Sequence, residues 1–252
     1  METFTDQFNF KRELAFCVGI EREAFIADDE GNIRPWASKV LATIGDSPRF
    51  GYELSACQIE DRSGPCRIEN VMAELKYNED ILTRVERELN FKRQFNEVGP
   101  EDMPLDVYPD PTGRYRIITE KMPREILLAA CRVIGTHIHI GMLDQQTALR
   151  IYNSVRQFTE DLSQLGDHSH GERLSIYAQV APDNQPPHYN SWEDFHLKAK
   201  ANGFDKDPRK CWHLIRISKH GTLEFRMFGA TQSIEEIYSW ALRCLKLCES
   251  AY

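Results

Sequence analysis

The chain has 252 residues, 41% of them hydrophobic and 28% charged, which is enough apolar material to bury a full core in the manner of an ordinary globular protein. Asp and Glu (39) outnumber Lys and Arg (31) for a net charge of −8, and no basic tract is long enough to follow a phosphate backbone, so nucleic acid is not an expected partner. No apolar run approaches the roughly 18 residues of a membrane span, and the first residues lack the apolar core of a signal peptide, so no membrane role is expected and the expected location is the cytoplasm.

In chain order, residues 14 to 27 (LAFCVGIEREAFIA) read as a strand closed into a hairpin by the turn DDEGN, and a short helix spans about 36 to 44. Two strand-like pieces follow, RFGYEL and CQIED. Val71, Leu75, Ile81, Leu82, Val85 and Leu89 recur at helical spacing and predict a long helix over 68–96. A Pro-rich loop precedes a helix near 124–130, the strand VIGTHIHIGM and a helix over 145–165. From 166 to 208 the chain reads as polar and irregular, with a short helix beginning at Ser191, and loops of that length serve as lids or binding loops. The strands CWHLIRIS and TLEFRMF, joined by the turn KHG, precede a last helix over 233–250. Strands separated by unequal helices, with hairpins at both ends, predict an α+β fold: a mixed or antiparallel curved sheet with helices on one face. No linker, repeat or low-complexity run divides residues 1–252, so a single domain is expected.

The seven cysteines are scattered without a CxxC pair, which fits reduced thiols. Cys244 and Cys248 lie four apart on the last helix among Leu242, Leu245 and Leu247 and read as core packing rather than a metal pair.

Side chains at i and i+2 of a strand share one face. In GIEREAF this puts Glu21 and Glu23 on one face, with Ile20 and Ala24 opposite. In THIHIG it pairs His137 with His139, and in TLEFRMF it pairs Glu224 with Arg226. The segment YELSACQIED adds Glu53, Gln58 and Glu60. One such pair is ordinarily a solvated face, but four segments of the same character are a coincidence that needs a cause. Carboxylates gathered on one sheet face repel unless cations join them, and carboxylates with imidazoles suit Mg²⁺ or Mn²⁺, whose commonest task is to hold triphosphates.

These segments resemble the bacterial carboxylate–amine ligases related to glutamate–cysteine ligase type 2. GIEREAF is similar to that family's G-[VI]-E-x-E strand, YELSACQIEDRSGPC to its second metal-binding segment, GTHIHIG to G-x-H-[IV]-H-[VI]-G, and GTLEFRMF to G-T-[VL]-E-x-R. RLSIYAQVAPDNQPPHYNSWEDF resembles a stretch with an arginine, paired prolines and a Ser-Trp. The segments occur in the family's order from about Cys17 to Ile237.

The resemblance implies a glutamine synthetase/guanido kinase-like catalytic domain. It implies an ATP-dependent enzyme that joins an amino-acid carboxylate to an amine, possible γ-glutamyl products included, with Mg²⁺ or Mn²⁺. Glu23, Glu53 and Glu60 would bind one metal, and Glu21, His137 and Glu224 the one bridging the ATP phosphates. His139 and Arg226 would touch phosphate, with Arg216 a further cofactor contact, and Arg226, Glu60 and Arg173 form the implied catalytic set, Arg173 holding phosphate or a substrate carboxylate. Three departures stand out. Ser63-Gly64 replaces the family's Thr-Pro, Arg22 stands where a third carboxylate is common and should face away from the site, and relatives extend beyond the last helix seen here. A homo-oligomer is left open.

Three other readings remain. One is a non-catalytic, regulatory member of the fold that keeps ATP or metal. Another is a zinc hydrolase using His137, His139, His168 and His170, although zinc prefers His and Cys and here carboxylates outnumber imidazoles. The third is a kinase-type reaction stopping at a phosphorylated product, which only the resemblance argues against.

Overall fold

The computed structural model describes residues 3–252. Its strands are β1 (Val18–Ala27), β2 (Phe50–Tyr52), β3 (Gln58–Cys66), β4 (Lys92–Gln94), β5 (Thr136–Gly141), β6 (Ile215–Ile217) and β7 (Thr222–Phe228). They form one sheet in the order β2-β3-β1-β5-β7-β6, with β4 also pairing β1. Every pairing is antiparallel, so the architecture is α+β with an antiparallel rather than a mixed sheet.

The helices are α1 (Ala37–Ile44), α2 (Val71–Leu89), α3 (Arg114–Thr119), α4 (Arg124–Arg132), α5 (Gln145–Val155), α6 (Thr159–Leu165), α7 (Glu172–Val180), α8 (Trp192–Ala201) and α9 (Ile234–Ser250). Strand alternation sorts the sheet into two faces. Val18, Ile20, Ile138, Ile140, Leu223 and Phe225 point to one side, where α2, α5 and α9 cover them with Leu75, Ile151, Tyr152 and Trp240. A second cluster packs Ile26, Phe50 and Ile59 against α1 and the outer half of α2. Helices are not confined to that face. A third cluster gathers Phe25, Cys57, Cys131 and Ile134, which brings α4 over one end of the opposite face and leaves the middle of that face open.

Several boundaries differ from the sequence expectation. The helix predicted over 68–96 ends at Leu89 because Asn90 turns left-handed (φ 58°, ψ 55°), a conformation asparagine tolerates, and the released chain runs on as β4. The helix predicted over 145–165 is interrupted by a 3-10 turn at Arg156–Phe158, where the Thr159 hydroxyl donates to the Arg156 carbonyl at 2.6 Å and so competes with the helical ladder. α3 and α7 occupy segments expected to be irregular. Asp110 caps α3 by accepting from the N–H groups of Thr112, Arg114 and Tyr115. Asp167 holds the turn ahead of α7 by accepting from Ser169 and Gly171. Cys244 and Cys248 are buried in the core as expected, and all seven cysteines are free.

Candidate active site

The open face of the sheet carries the ionisable pairs. β1 lies between β3 and β5, and its register sets Glu23 opposite Glu60 and Glu21 opposite His137. β7 lies beyond β5 and sets Glu224 opposite His139, while Arg216 of β6 faces Glu224 from the other side. Side chains from five strands therefore meet on one patch.

Three sets of ligand-type atoms lie within 4.8 Å of one another: Glu23 with Glu53 and Glu60, Glu21 with Glu60 and His137, and Glu21 with His139 and Glu224. The first set is the one expected from the resemblance. The other two divide the imidazoles differently, since His139 rather than His137 joins Glu21 and Glu224. The cause is register, because His139 is the direct cross-strand neighbour of Glu224 and places its Nε2 4.0 Å from that carboxylate and 3.4 Å from Glu21. His137 lies 3.3 Å from Glu21 and 3.8 Å from Glu23.

The two ends of the patch differ in charge balance. Around Glu224, Arg216 donates twice at 2.7 and 2.9 Å and Arg226 adds a third bond. Burial alone would raise the Glu224 carboxyl, but these guanidiniums hold it far below the usual range. Burial likewise opposes ionisation of Glu21, yet the charge of His139 and hydrogen bonds from both imidazoles keep its carboxyl well below the ordinary value. At the other end Glu23, Glu53 and Glu60 have Arg62, paired with Glu60, as their neighbouring cation. Burial and then the charge of Glu23 push Glu53 up to about 8, and burial with Glu21 and Glu53 raises Glu60 well above its ordinary range.

This arrangement fits divalent metal. Oxygen-rich clusters whose carboxylates are forced toward protonation by mutual repulsion are relieved by a hard cation. On the same patch Arg226 Nε is buried without a hydrogen-bond partner among the described residues, and His139 Nε2 makes only the longer approaches of 3.4 Å to Glu21 and 4.0 Å to Glu224.

Two cavities open along the patch and share Glu21, Arg62 and His220. One, of about 300 Å³, lies on the His139 side and is lined by Gly19, Ile20, Ser63 and Thr222. The other, of about 290 Å³, holds Glu53, Glu60, His137, Arg216 and Arg226. Ser63, one of the departures from the expected motif, is buried and accepts from the Ile20 N–H at 3.0 Å. Arg22 points to the opposite face, as its parity requires, and is buried against Asp61 and Glu79 at 2.8 Å each.

Arg173 does not have the place expected of it. Its side chain is buried, and its nitrogens donate to the carbonyls of Ile134, Met227 and Arg226 at 2.7, 3.0 and 3.1 Å. A guanidinium committed to three backbone carbonyls is a strut between β5 and β7 rather than a hand for phosphate or carboxylate. Gly135 permits it, since a Cβ there would lie 2.2 Å from Arg173 Nη2, and the Gly135 N–H in turn holds Glu23 at 2.7 Å. His168 is half-exposed and pairs with Glu236 at 2.9 Å, apart from the patch, so the four-histidine set of the zinc reading is not assembled.

Sequence reading missed Arg62, Tyr115, Lys219 and His220, all of which line the second cavity. Arg62 had a signal, since it stands two residues after Glu60 on β3 and shares its face. Gly51 leaves room for its guanidinium, which a Cβ would meet at 2.3 Å.

No family model matches the chain. Among curated proteins it is 25% identical over 221 residues to "Putative glutamate--cysteine ligase 2" of Solibacter usitatus, covering 81% of this chain and 56% of that protein. The protein of the same name from Gloeobacter violaceus is 25% identical over 263 residues, covering 96% and 70%, and that of a Roseiflexus species is 24% identical over 247 residues, covering 91% and 65%. Over most of its length the chain is thus similar to the glutamate–cysteine ligase 2 proteins. It spans little more than half of the Solibacter relative's length. The fold is also found in the crystal structure of a bifunctional glutathione synthetase from Pasteurella multocida, with a TM-score of 0.63 and 13% identity over 95% of this chain and 40% of that one. Among the described residues no helix is long and apolar enough to cross a membrane.

Proposed function

We propose that residues 1–252 form a single catalytic domain of the glutamine synthetase/guanido kinase-like kind, which uses ATP to join an amino-acid carboxylate to an amine. The observation that carries this reading is the cross-strand register, which lines up Glu23 with Glu60, Glu21 with His137 and His139 with Glu224 on one open sheet face. The names of the curated relatives and of the glutathione synthetase neighbour support an amide-forming ligase. Seven free thiols suit a reducing compartment, the cytoplasm.

A carboxylate is a poor acyl donor until one of its oxygens becomes a leaving group. In the proposed reaction a carboxylate oxygen attacks the γ-phosphorus of ATP and the bond to ADP breaks. The amine nitrogen then attacks the acyl carbon, the bond to phosphate breaks, and the nitrogen gives up a proton to become an amide. Mg²⁺ or Mn²⁺, held by Glu23, Glu53 and Glu60 and by Glu21 with His139 or His137 and Glu224, would neutralise the polyphosphate and the charge that develops on it. Arg226 and Arg216 stand on Glu224 and are placed to turn toward a transferred phosphoryl group. His139, fixed through Nδ1 by the Thr222 hydroxyl at 2.8 Å, faces the same point. Burial of these groups makes each interaction stronger than it would be in water.

The test is Mg²⁺-dependent ADP release with a panel of amino-acid carboxylates and amines, comparing the parent with Glu224→Gln. ADP release that requires both donors and falls at least about a hundredfold in the variant is the expected result. ADP release with a carboxylate alone, yielding a stable phosphorylated product, would point to the kinase-type reaction. ATP binding without turnover on any pair would favour the regulatory reading.

A further inference from the structure

The second cavity is not polar throughout. Besides its carboxylates it is lined by an apolar wall of Ile118 of α3, Met122, Ala130 of α4, Val180 of α7 and Trp212, the last of which lies 5.8 Å from the Arg226 guanidinium. Each of these side chains is partly exposed or, for Trp212, openly so, and they come from separate parts of the chain, so no single amphipathic helix explains them. The cavity's cations divide in the same way. Arg62, Arg209, Arg216 and Arg226 each face a carboxylate, whereas Arg114 and Lys219 line the cavity and form no ion pair among the described residues. Arg114 rests over the Tyr115 ring, 5.7 Å from its centroid.

We infer that the amine partner of the reaction is an amino acid with a sizeable apolar side chain and a free carboxylate, bound in this cavity. The inference rests on the ligase reading for its chemistry. The carboxylate to be activated has to lie beside the metal-type cluster and Arg226, and a group resting on the apolar side chains shares the same cavity with it. An ammonium ion or a cysteine would leave most of the apolar wall against water. A leucine or phenylalanine side chain would cover it, and apolar area removed from water favours binding in proportion to its extent. The carboxylate of such an amino acid meets Arg114 or Lys219, cations with no acid already on them.

The test measures ADP release with ammonium, cysteine, alanine, leucine, phenylalanine and leucinamide as amines. In parallel, calorimetric binding of the same amines is measured in the presence of Mg²⁺ and a non-hydrolysable ATP analogue. Leucine or phenylalanine should exceed alanine and cysteine by at least about tenfold in kcat/KM and in affinity. Ala130→Trp, which fills the wall, should invert that ranking. Ile118→Gln, a smaller change elsewhere on the wall, should narrow it if the tryptophan variant does not fold. Arg114→Gln should weaken leucine more than leucinamide. Equal binding and turnover of alanine, cysteine and leucine overturns the inference and leaves the ligase reading standing. Preferential binding of leucine or phenylalanine with no turnover of any amine supports the apolar site and overturns the ligase reading. Absence of both removes both.

Discussion

Glu53 is the residue at which the charge surplus of the patch is most readily measured. Its carboxyl is pushed up to about 8 by burial and by Glu23, and Glu60 is raised with it. At pH 7 the metal-free protein therefore holds protons on this cluster that a divalent cation must displace. Titrating Mg²⁺ into the protein at pH 7, in buffers of different ionisation enthalpy, should show release of about one proton per ion bound. Glu53→Gln should remove most of that release, and affinity should rise with pH up to about 8. Metal binding with no proton release would mean that the cluster is already ionised and that some other cation balances it. Two arginines of the same region separate by a different measurement. Arg173→Leu takes the donor from three buried carbonyls and should lower unfolding free energy by about 3 kcal/mol or more. Arg226→Lys keeps a charge on Glu224 and should leave the urea midpoint nearly unchanged while reducing turnover at least about a hundredfold.

At the scale of elements, β1 organises the molecule. Val18 and Ile20 pack in the core with α2 and α9 and Ile26 with α1 and α2, while Arg22 holds Asp61 of β3 and Glu79 of α2 at 2.8 Å each. Arg93 of β4 returns to Glu79 and Glu86 at 2.7 and 2.8 Å, so one partly buried ionic network ties three strands to the long helix. On the other face of β1, Glu21 and Glu23 enter the site. Alternation is what made Glu21, Glu23, His137, His139, Glu224 and Arg226 legible in the sequence, because parity decides the face of a strand residue without knowledge of its neighbours. Which imidazole joins which carboxylate depends instead on register between strands far apart in the chain, Glu21 with His137 and His139 with Glu224, and the sequence does not encode that locally. Arg173 illustrates a second limit. It lies on a nine-residue helix whose apolar stripe is too short to read, and only packing reveals that its guanidinium braces β7 and the approach to β5 rather than entering the cavity. The apolar wall belongs to the same class, being assembled from residues that are ordinary one at a time.

For the whole molecule these groups give the stability curve limbs of opposite sign. Burial depresses His213 from its ordinary 6.5 to about 4, so between those values the unfolded chain binds more protons and stability falls as pH falls. Burial would raise Glu79, but hydrogen bonds and charge from Arg93, then Arg22, lower it from 4.5 to about 2, which extends the loss as pH drops from about 4.5 toward 2. Glu53 acts in the other direction. With its folded value near 8 against an ordinary 4.5, the metal-free folded state binds more protons across that window and loses stability as pH rises. A tenfold change in proton affinity is worth about 1.4 kcal/mol, so each limb amounts to a few kcal/mol at most, and to less for Glu79, whose ion pairs water reaches and screens. Urea unfolding at pH 5, 6.5 and 8, with and without Mg²⁺, separates them. Without metal the midpoint should fall from pH 6.5 to 8. With Mg²⁺ that fall should vanish, because a cation that keeps Glu53 ionised removes the proton difference, and the acid limb of His213, which Glu53 offsets between about 4.5 and 6.5 in the metal-free protein, should then emerge and flatten in His213→Gln. A midpoint that is equally insensitive to Mg²⁺ at all three pH values would show that the carboxylate patch does not take up the ion, and the metal assignment would fall with it.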